Sequence, residues 1–360
     1  MGTVHLHDVV DPGLLAEMVA RGLVRRTAHP TLPMSILNYT QTAQFERQWN
    51  DATTRCRGLV VDHDGTVLAR PFAKFFNYGE HDALPRGRVT VTDKLDGSLG
   101  ILYPTPDGPA VATRGSLASE QALHATAVLR DRYARFAPRR GVTYLFEIIY
   151  PGNRIVVDYG PMDDLVLLGA VDIATGRSLD LADAADGWTG PVVEQLGHAS
   201  FESALAAPPR QNREGLVVHF VDDDIRVKIK QEDYVRLHRI VTGVSTTSIW
   251  EAMATGTSLD DLLEQIPDEL FAFVEATRRD LQGRFDALVA EIDERLAAVL
   301  ATLPADPARK DIALAITALD GFALRHCLFA RLDGKPVDRA VWDHIRPAFA
   351  RFGRSGEDDR

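Results

Sequence analysis

The sequence contains only two cysteines, Cys56 and Cys327, which cannot form a disulfide framework and match no zinc-ligand spacing. A reducing cytoplasm is therefore the expected compartment. Long apolar runs are also missing, because the longest, LVLLGAV at 165–171, is far too short to span a bilayer. The N-terminus shows no basic stretch followed by an apolar core, so we predict neither export nor a membrane span.

Positive charge is scarce as well. The formal net charge is -11, with 40 basic residues against 51 acidic ones. Non-specific nucleic-acid binding depends on Lys and Arg neutralising phosphates. The negative net charge therefore argues against a protein that coats nucleic acid non-specifically, and any nucleic-acid contact must be local. The residues after position 242 are proportionally the more acidic, and a polyanion is expected on the first part of the chain.

Lysine is the scarcest of the basic residues. Only six of the 40 are lysines: Lys74, Lys94, Lys228, Lys230, Lys310 and Lys335. Lysine can lose its proton and act as a nucleophile or a compact phosphate ligand, whereas arginine effectively cannot be deprotonated. Four of the six fall in three short segments, PFAKFFNYGE, TDKLDGS and RVKIKQ. This clustering favours a need for an amine over the alternative, which is chance in an arginine-rich composition.

The segment from residue 58 to 230 is rich in short β-type runs separated by turn signals. Helical spacing interrupts it at about 117–137 and 200–207 and returns at 231–241. The predicted strands are GLVVD, RVTVTD, LGILY, AVATR, VTYLFEIIY, RIVVDY, LVLLGAVDI, GLVVHF and IRVKIK.

The character of the sequence changes after Gly243. From Ile249 to Phe352 the apolar residues follow a 3.6-residue period with no convincing strand. We therefore predict an α+β protein with two domains, a mainly antiparallel-sheet domain at 1–242 and an all-helical domain at 243–360.

Lys94 lies at the end of a predicted strand, and Asp96 and Gly97 follow two and three residues later. The local pattern fits a nucleophile or phosphate ligand, and equally a solvated lysine in a turn. Lys228 and Lys230 occupy alternate positions of a predicted strand and so point to the same face, where they can hold a polyphosphate.

Two carboxylates complete the candidate set. Glu147 lies in the apolar run TYLFEIIY, where a buried carboxylate is costly without a partner. Glu214 precedes a glycine and a strand in NREGLVVHF, which leaves space for a ligand to approach the backbone. Each also has a purely structural interpretation, because Glu147 can lie on a solvated strand face and Glu214 can simply begin a hairpin.

Taken in order along the chain, these residues resemble the motif set of the covalent nucleotidyltransferases, which include ATP-dependent nucleic-acid ligases and capping enzymes. From about residue 55 to 235 the sequence is most similar to the phage-type RNA ligase 1 branch. This resemblance implies that the first domain is a nucleotidyltransferase (ATP-grasp-like ligase) domain. The segments that carry it are CRGLVVD, RPFAKFFNYGE, KLDGSLGILY, TRGS, FEIIYPGNRIVV, REGLVV and KIKQEDYV.

The resemblance also implies roles for individual residues. Lys94 would attack the α-phosphate of ATP and form a lysyl-AMP. Asp96 and Glu214 would hold the hydration shell of Mg²⁺, for which Mn²⁺ can substitute, and Glu147 would contact the ribose or assist the metal. The remaining nucleotide-binding residues would be Arg57, Lys74, Gly97, Arg114, Val217, Lys228 and Lys230, of which Lys228 and Lys230 would bind the α-phosphate and belong to the catalytic set.

The resulting prediction is an ATP-dependent RNA ligase that joins 5′-phosphate and 3′-hydroxyl ends in RNA repair. The alternatives are a DNA or nick-sealing ligase, a non-catalytic module that binds RNA ends, and a transferase that adenylylates a protein or small molecule. DNA ligases and capping enzymes of this group carry an OB-type β-barrel after the last lysine motif, and no run of five short strands follows residue 243. The oligomeric state is left open.

The helical C-terminal region has two interpretations. It is a stabilising bundle with a solvated acidic face, or it selects the RNA to be repaired. In the second case local arginines would contact the RNA, and the candidates are Arg325, Arg331, Arg339 and Arg346.

Overall fold

A computed structural model of the chain describes residues 2–81, 83–241, 244–257, 268–319 and 321–347. The chain forms two compact units, Met1–Val241 and Thr242–Arg360. The predicted domain boundary at 242 and 243 and the predicted helical pattern at 258–267 lie outside the described residues.

The described residues of the first unit form thirteen strands in three sheets. The strands are β1 (Val24–Ala28), β2 (Met34–Tyr39), β3 (Arg57–Asp62), β4 (Val67–Ala69), β5 (Phe76–Asn77), β6 (Val89–Lys94), β7 (Ser98–Thr105), β8 (Gly108–Ala112), β9 (Val142–Ile149), β10 (Asp164–Asp172), β11 (Gln195–Leu196), β12 (Gly215–Phe220) and β13 (Ile225–Lys230). The first sheet has the order β1-β2-β3-β4, the second β10-β9-β7-β8 and the third β11-β6-β12-β13-β5. These strands pair antiparallel, apart from the parallel pair of β13 with β5.

The first and second sheets share one apolar cluster. Ile36 and Val60 from the first sheet are fully buried in it together with Ile101 and Leu145 from the second. A second cluster covers the other side of the second sheet, where Leu129 of helix α5 (Glu120–Arg132) packs with Phe146. Burial on both faces explains why β9 reads as an almost continuous apolar run.

The helices of the first unit are short. Where a cap is resolved, a polar side chain usually begins the helix, as Ser119 does for α5 by accepting the Ala122 N–H. The others are α1 (Leu6–Val9), α2 (Pro12–Ala20), α3 (Gln41–Phe45), α4 (Asp51–Arg55), α6 (Leu181–Ala184), α7 (Phe201–Leu205) and α8 (Glu232–Val241), with 3-10 turns at Tyr78–Glu80 and Pro151–Asn153.

One predicted strand is wrong. RIVVDY at 154–159 is a loop, because the Val156 and Val157 N–H groups donate to the carboxylate of Asp96 at 2.8 Å each and not to a neighbouring strand. We predicted no elements in the first 50 residues, where the structure places β1 and β2. The other predicted strands and the helices of this unit coincide with observed elements to within a few residues.

Every element described in the second unit is a helix: α9 (Thr246–Thr255), α10 (Asp268–Ala301), α11 (Arg309–Thr317), α12 (Arg325–Leu332) and α13 (Asp338–His344). Helix α9 ends at Gly256, whose φ of 69° is the left-handed conformation that glycine adopts readily. The core of the unit gathers Ile292, Ile316, Leu328 and Val341 from the last four helices. Among the helices in the described ranges, none combines the length and the hydropathy that a membrane span requires.

Candidate active site

Three charged side chains meet at one end of the third sheet. Lys94 Nζ lies 2.6 Å from Glu214 Oε1, and Lys230 Nζ lies 3.1 Å from the same oxygen. The Glu214 carboxylate is only 3% exposed. Two lysines from separate strands therefore bind one buried carboxylate.

The strand register brings these residues together. Gly215, the first residue of β12, is paired with Lys94 of β6 on one side and Lys230 of β13 on the other. A Cβ atom at position 215 would lie 2.0 Å from the Ile229 carbonyl oxygen, so only glycine allows this close approach of the strands. Glu214 precedes that glycine and consequently reaches both lysines.

The two lysines determine the charge of Glu214. Burial by itself favours the neutral acid, but the attraction of Lys94 and Lys230 outweighs it and holds the pKa of Glu214 below its ordinary value. The carboxylate is therefore ionised, and it accepts hydrogen bonds from both ammonium groups.

Glu147 lies on the adjacent sheet and behaves differently. Its Oε1 accepts the Gly97 N–H at 2.9 Å, and a Cβ at position 97 would lie 2.6 Å from the Ile148 carbonyl oxygen. Burial raises the pKa of Glu147 to about 8. Lys94 opposes that rise, whereas the nearby Glu214 carboxylate adds to it. At neutral pH most Glu147 side chains are therefore protonated.

Asp96 is buried and acts as a hydrogen-bond acceptor for distant parts of the chain. Its Oδ2 accepts the N–H groups of Val156 and Val157, and its Oδ1 accepts the Tyr234 hydroxyl of α8 at 2.7 Å. The Asp96 N–H donates to the Tyr159 hydroxyl at 2.8 Å. These contacts fix the loop at 154–159 and helix α8 against the residues that follow Lys94.

Two of the predicted phosphate-binding residues lie beside one aromatic ring. The Arg57 guanidinium carbon is 5.3 Å from the centre of the Phe75 ring, and Lys228 Nζ is 5.2 Å from it. Lys228 thus lies near Phe75, whereas Lys230, two residues later, pairs with Glu214. Val217, on β12, is half-buried and is paired with Lys228 in the strand register.

The other two lie beside Tyr39. Lys74 is 7% exposed, and its Nζ lies 5.2 to 5.6 Å from the ring centres of Tyr39, Trp49 and Phe76. Arg114 Nη1 donates to the Tyr39 hydroxyl at 2.7 Å. Aromatic faces attract cations, so these rings stabilise the buried positive charge and restrict where it lies.

Our sequence predictions missed several residues that hold this site together. They did not include Tyr159, Tyr234, or the buried Asp93, which binds Arg210 and Arg213 at 2.6 and 3.0 Å. A signal for Asp93 was present, since in VTVTDK it falls on the alternating face that Val89 and Val91 bury. No comparable pattern marks the two tyrosines.

Comparison with known proteins identifies the family. The family model described as RNA ligase matches residues 55–234, which is half of the chain. The chain belongs to the RNA ligase family. The matched range contains Lys94, Asp96, Glu147, Glu214 and Lys230.

Curated relatives of this RNA ligase family member match about half of its length. A protein named "Putative RNA ligase" from Thermovibrio ammonificans is 31% identical over 212 residues, 52% of this chain and 53% of the relative. RNA ligase 1 of bacteriophage TS2126 is 30% identical over 175 residues, 44% of this chain and 43% of the relative. The chain spans about half the length of the curated relatives it matches.

Among solved structures, an RNA ligase of Naegleria gruberi with PPi is 24% identical over 43% of this chain and 53% of its own, with a TM-score of 0.36. An archaeal ATP-dependent RNA ligase is 16% identical over 90% of this chain and 96% of its own, with a TM-score of 0.45.

Proposed function

We propose that the protein is an ATP-dependent RNA ligase that joins a 5′-phosphate end to a 3′-hydroxyl end. In this proposal residues 1–242 are the adenylyltransferase domain and residues 243–360 are a separate helical domain. The observation that supports it most strongly is the pairing of Lys94 with Glu214 at 2.6 Å, with Lys230 bound to the same oxygen. Membership of the RNA ligase family makes RNA the expected substrate.

In the first step the Lys94 amine attacks the α-phosphorus of ATP. A phosphorus–nitrogen bond forms, the bond to the bridging oxygen breaks, and pyrophosphate leaves with the electron pair. The Lys94 ammonium must lose a proton before it attacks, and Glu214 Oε1 is an acceptor within hydrogen-bond distance. Lys230 places positive charge beside the reacting group, where the phosphate develops negative charge.

In the later steps AMP passes from Lys94 to the 5′-phosphate of the RNA. The 3′-hydroxyl then attacks that phosphate, the phosphodiester bond forms and AMP leaves. Phosphoryl transfer of this kind depends mainly on positioning and charge stabilisation. The site is suited to both, because its charged side chains are buried and each has a defined partner.

The cationic residues beside the aromatic rings would bind the phosphates. Arg57 and Lys228 at Phe75 would form one contact region, and Lys74 with Arg114 at Tyr39 another. A guanidinium group binds phosphate through two parallel N–H donors, which fits Arg57 and Arg114. Gly97 and Val217 would border the nucleotide.

The site offers few protein ligands for a divalent cation such as Mg²⁺ or Mn²⁺. In the ranges that the structure describes, no group of three acidic, histidine or cysteine side chains is arranged to hold a metal. Magnesium commonly keeps several waters and uses one or two carboxylates plus substrate phosphates. Glu214 can supply such a carboxylate, whereas Glu147 would have to lose its proton first. The carboxylate of Asp96 already accepts three hydrogen bonds, so its metal role rests on the family resemblance alone. When bound, the cation would neutralise charge on the phosphates.

We also infer that the enzyme works in the cytoplasm, in RNA repair. Cys56 and Cys327 are both free and buried, which suits a reducing compartment. Repair follows from the proposed substrates, since broken RNA supplies the ends to be joined.

Labelling with ATP tests the covalent step. Protein incubated with α-labelled ATP and Mg²⁺ should keep the label after denaturation, whereas Lys94→Ala and Lys94→Arg should keep none. The arginine variant retains the charge and removes the nucleophile, so it separates phosphate binding from covalent chemistry. Wild-type protein that stays unlabelled even after pyrophosphate has removed any bound AMP would contradict the proposal.

Sealing assays test the substrate. We expect faster joining of single-stranded or nicked RNA than of nicked DNA, with Lys94→Ala inactive on all of them. Preference for nicked DNA would replace the proposed function with a DNA ligase. Labelling of Lys94 without sealing of any nucleic acid would point to a transferase that adenylylates another acceptor.

A further inference from the structure

A buried carboxylate lies directly before Lys94. Asp93 is 4% exposed. Its carboxylate accepts a hydrogen bond from Arg210 Nη2 at 2.6 Å and forms an ion pair with Arg213 Nε at 3.0 Å. A buried carboxylate is costly unless charged hydrogen-bond donors satisfy it. The segment that leads into Glu214 is thus attached to β6 at the residue next to Lys94.

Arg210 contacts two strands of the site, β6 and β12, and the residue that follows the third, β13. Its Nη2 also donates to the Gly215 carbonyl at 3.0 Å, and its backbone N–H donates to Gln231 Oε1 at 2.8 Å. Gln231 follows Lys230 and donates its own N–H to the Glu214 carbonyl at 3.0 Å. One arginine therefore contacts a neighbour of each charged residue in the site.

Arg213 offers a contrast within the same segment. It binds the same Asp93 carboxylate, but its Nη1 donates to the carbonyl of Asn212, the residue just before it. Removal of either arginine would take one positive charge from Asp93. Only removal of Arg210 would also release the Gly215 carbonyl.

The segment is fixed at a further point. Asn212 has a φ of 54°, and its side chain accepts the Asp158 N–H at 2.9 Å and donates to the Asp158 carbonyl at 2.7 Å. Asp158 follows Val157, whose N–H donates to Asp96. The residues before Glu214 are thus held between the strand of Lys94 and the loop that holds Asp96.

We propose that Arg210 is a positioning residue for nucleotidyl transfer, which fixes the Glu214 carboxylate relative to the Lys94 amine by binding Asp93 and the Gly215 carbonyl together. This inference rests on the proposed function. Loss of Arg210 leaves the charges of Lys94, Glu214 and Lys230 in place but allows the start of β12 to move. Small displacements of reacting groups reduce rates strongly, by as much as about a hundredfold for about 1 Å.

The experiment compares Arg210→Ala with Arg213→Ala as the matched control. The rate of lysyl-AMP formation from α-labelled ATP is measured in a single turnover over a range of ATP concentrations, with the melting temperature recorded for each protein. Arg210→Ala should lower the maximal rate by about tenfold or more while the ATP concentration for half-maximal rate changes by less than about twofold. Arg213→Ala should stay within about threefold of wild type.

If Arg210→Ala does not fold, the rate of lysyl-AMP formation is measured for Arg210→Lys instead. Lysine retains the charge beside Asp93 but replaces the planar guanidinium with a single ammonium group, so an intermediate rate is expected. Equal losses in Arg210→Ala and Arg213→Ala would show that only the charge on Asp93 matters and would overturn the proposal. So would a wild-type rate in Arg210→Ala. Absence of label in the wild-type protein is a separate result, which contradicts the proposed function.

Discussion

Glu214 in the first unit and Glu275 in the second are each held by two basic side chains, yet in different surroundings. The partners of Glu214 are Lys94 and Lys230, which come from separate strands and are 18% and 9% exposed. These side chains are largely shielded from solvent, so their charges interact strongly and each depends on the others.

Glu275 binds Arg278 and Arg279 at 2.9 and 2.6 Å, three and four residues further along helix α10. These guanidinium groups are 40% and 72% exposed, so water and salt screen them. Local exposed pairs of this kind add little stability. The burial of an ion pair, more than its geometry, thus separates a functional charge cluster from a solvated helix surface.

The largest predicted difference follows from removing each carboxylate. Glu214→Ala removes the buried carboxylate that two lysines share, so we expect a loss of roughly 3 kcal/mol in local stability and no detectable lysyl-AMP. Glu275→Ala should cost less than about 1 kcal/mol and leave labelling unchanged. Hydrogen exchange of the β6 and β12 amides reports on the first unit, and exchange of the α10 amides reports on the second.

Similar exchange changes at β12 and α10 would contradict the expected difference between the buried and the exposed carboxylate. Glu214→Gln tests the role of the charge alone, because the amide keeps the side-chain size and one hydrogen-bond acceptor but loses the charge. Its exchange rates should lie between those of wild type and Glu214→Ala.

Stability should depend on pH through Glu147. Its pKa of about 8 in the folded protein exceeds the ordinary value of 4.5. The contribution of Glu147 to the free energy of unfolding is therefore complete below about pH 4.5 and is lost as the pH rises towards 8. Glu147→Gln should match wild type in melting temperature at low pH and exceed it increasingly up to pH 8.

Glu214 does not interfere in that window. Because its pKa is lowered, its contribution is lost only as the pH falls below its ordinary range. A difference in melting temperature between wild type and Glu147→Gln that stays constant from pH 5 to 8 would contradict the assignment of a neutral Glu147.

The smallest effect is expected in the second unit. The candidate RNA-binding arginines have partners there: Arg325 donates to the Leu319 carbonyl, and the others pair with carboxylates. Arg339→Ala should change local stability by less than about 0.5 kcal/mol, because its pair with Asp343 is exposed. If the region selects RNA, replacing all four arginines with alanine should lower the rate at which structured RNA is sealed, while labelling of Lys94 stays unchanged. Unaltered sealing after replacement of all four arginines would favour a purely stabilising role.

The sequence allowed prediction of most strands around the site because alternating and apolar runs survive in the fold. Lys94, Glu147 and Glu214 could be selected as candidates because each residue type is unusual in its local pattern. The expectation that Lys228 and Lys230 share one face follows from the period of two residues. Period alone did not predict that Lys230 pairs with Glu214 while Lys228 lies beside Phe75.

Long-range polar contacts account for what was missed. RIVVDY has the composition of a strand, but its backbone N–H groups bind Asp96, some 60 residues earlier in the chain. The strand β1 carries exposed Arg25 and Arg26, so its pattern gives little signal. No sequence pattern distinguishes Arg210 from other loop arginines, because only the fold places it beside Asp93.

Peptide mapping of the labelled protein tests the central claim most directly. After incubation with ATP and Mg²⁺, digestion and mass spectrometry should locate the adenylyl group on Lys94. Adenylylation of Lys228 or Lys230 with Lys94 unmodified, or of a residue in the second unit, would contradict the assignment of Lys94 as the nucleophile.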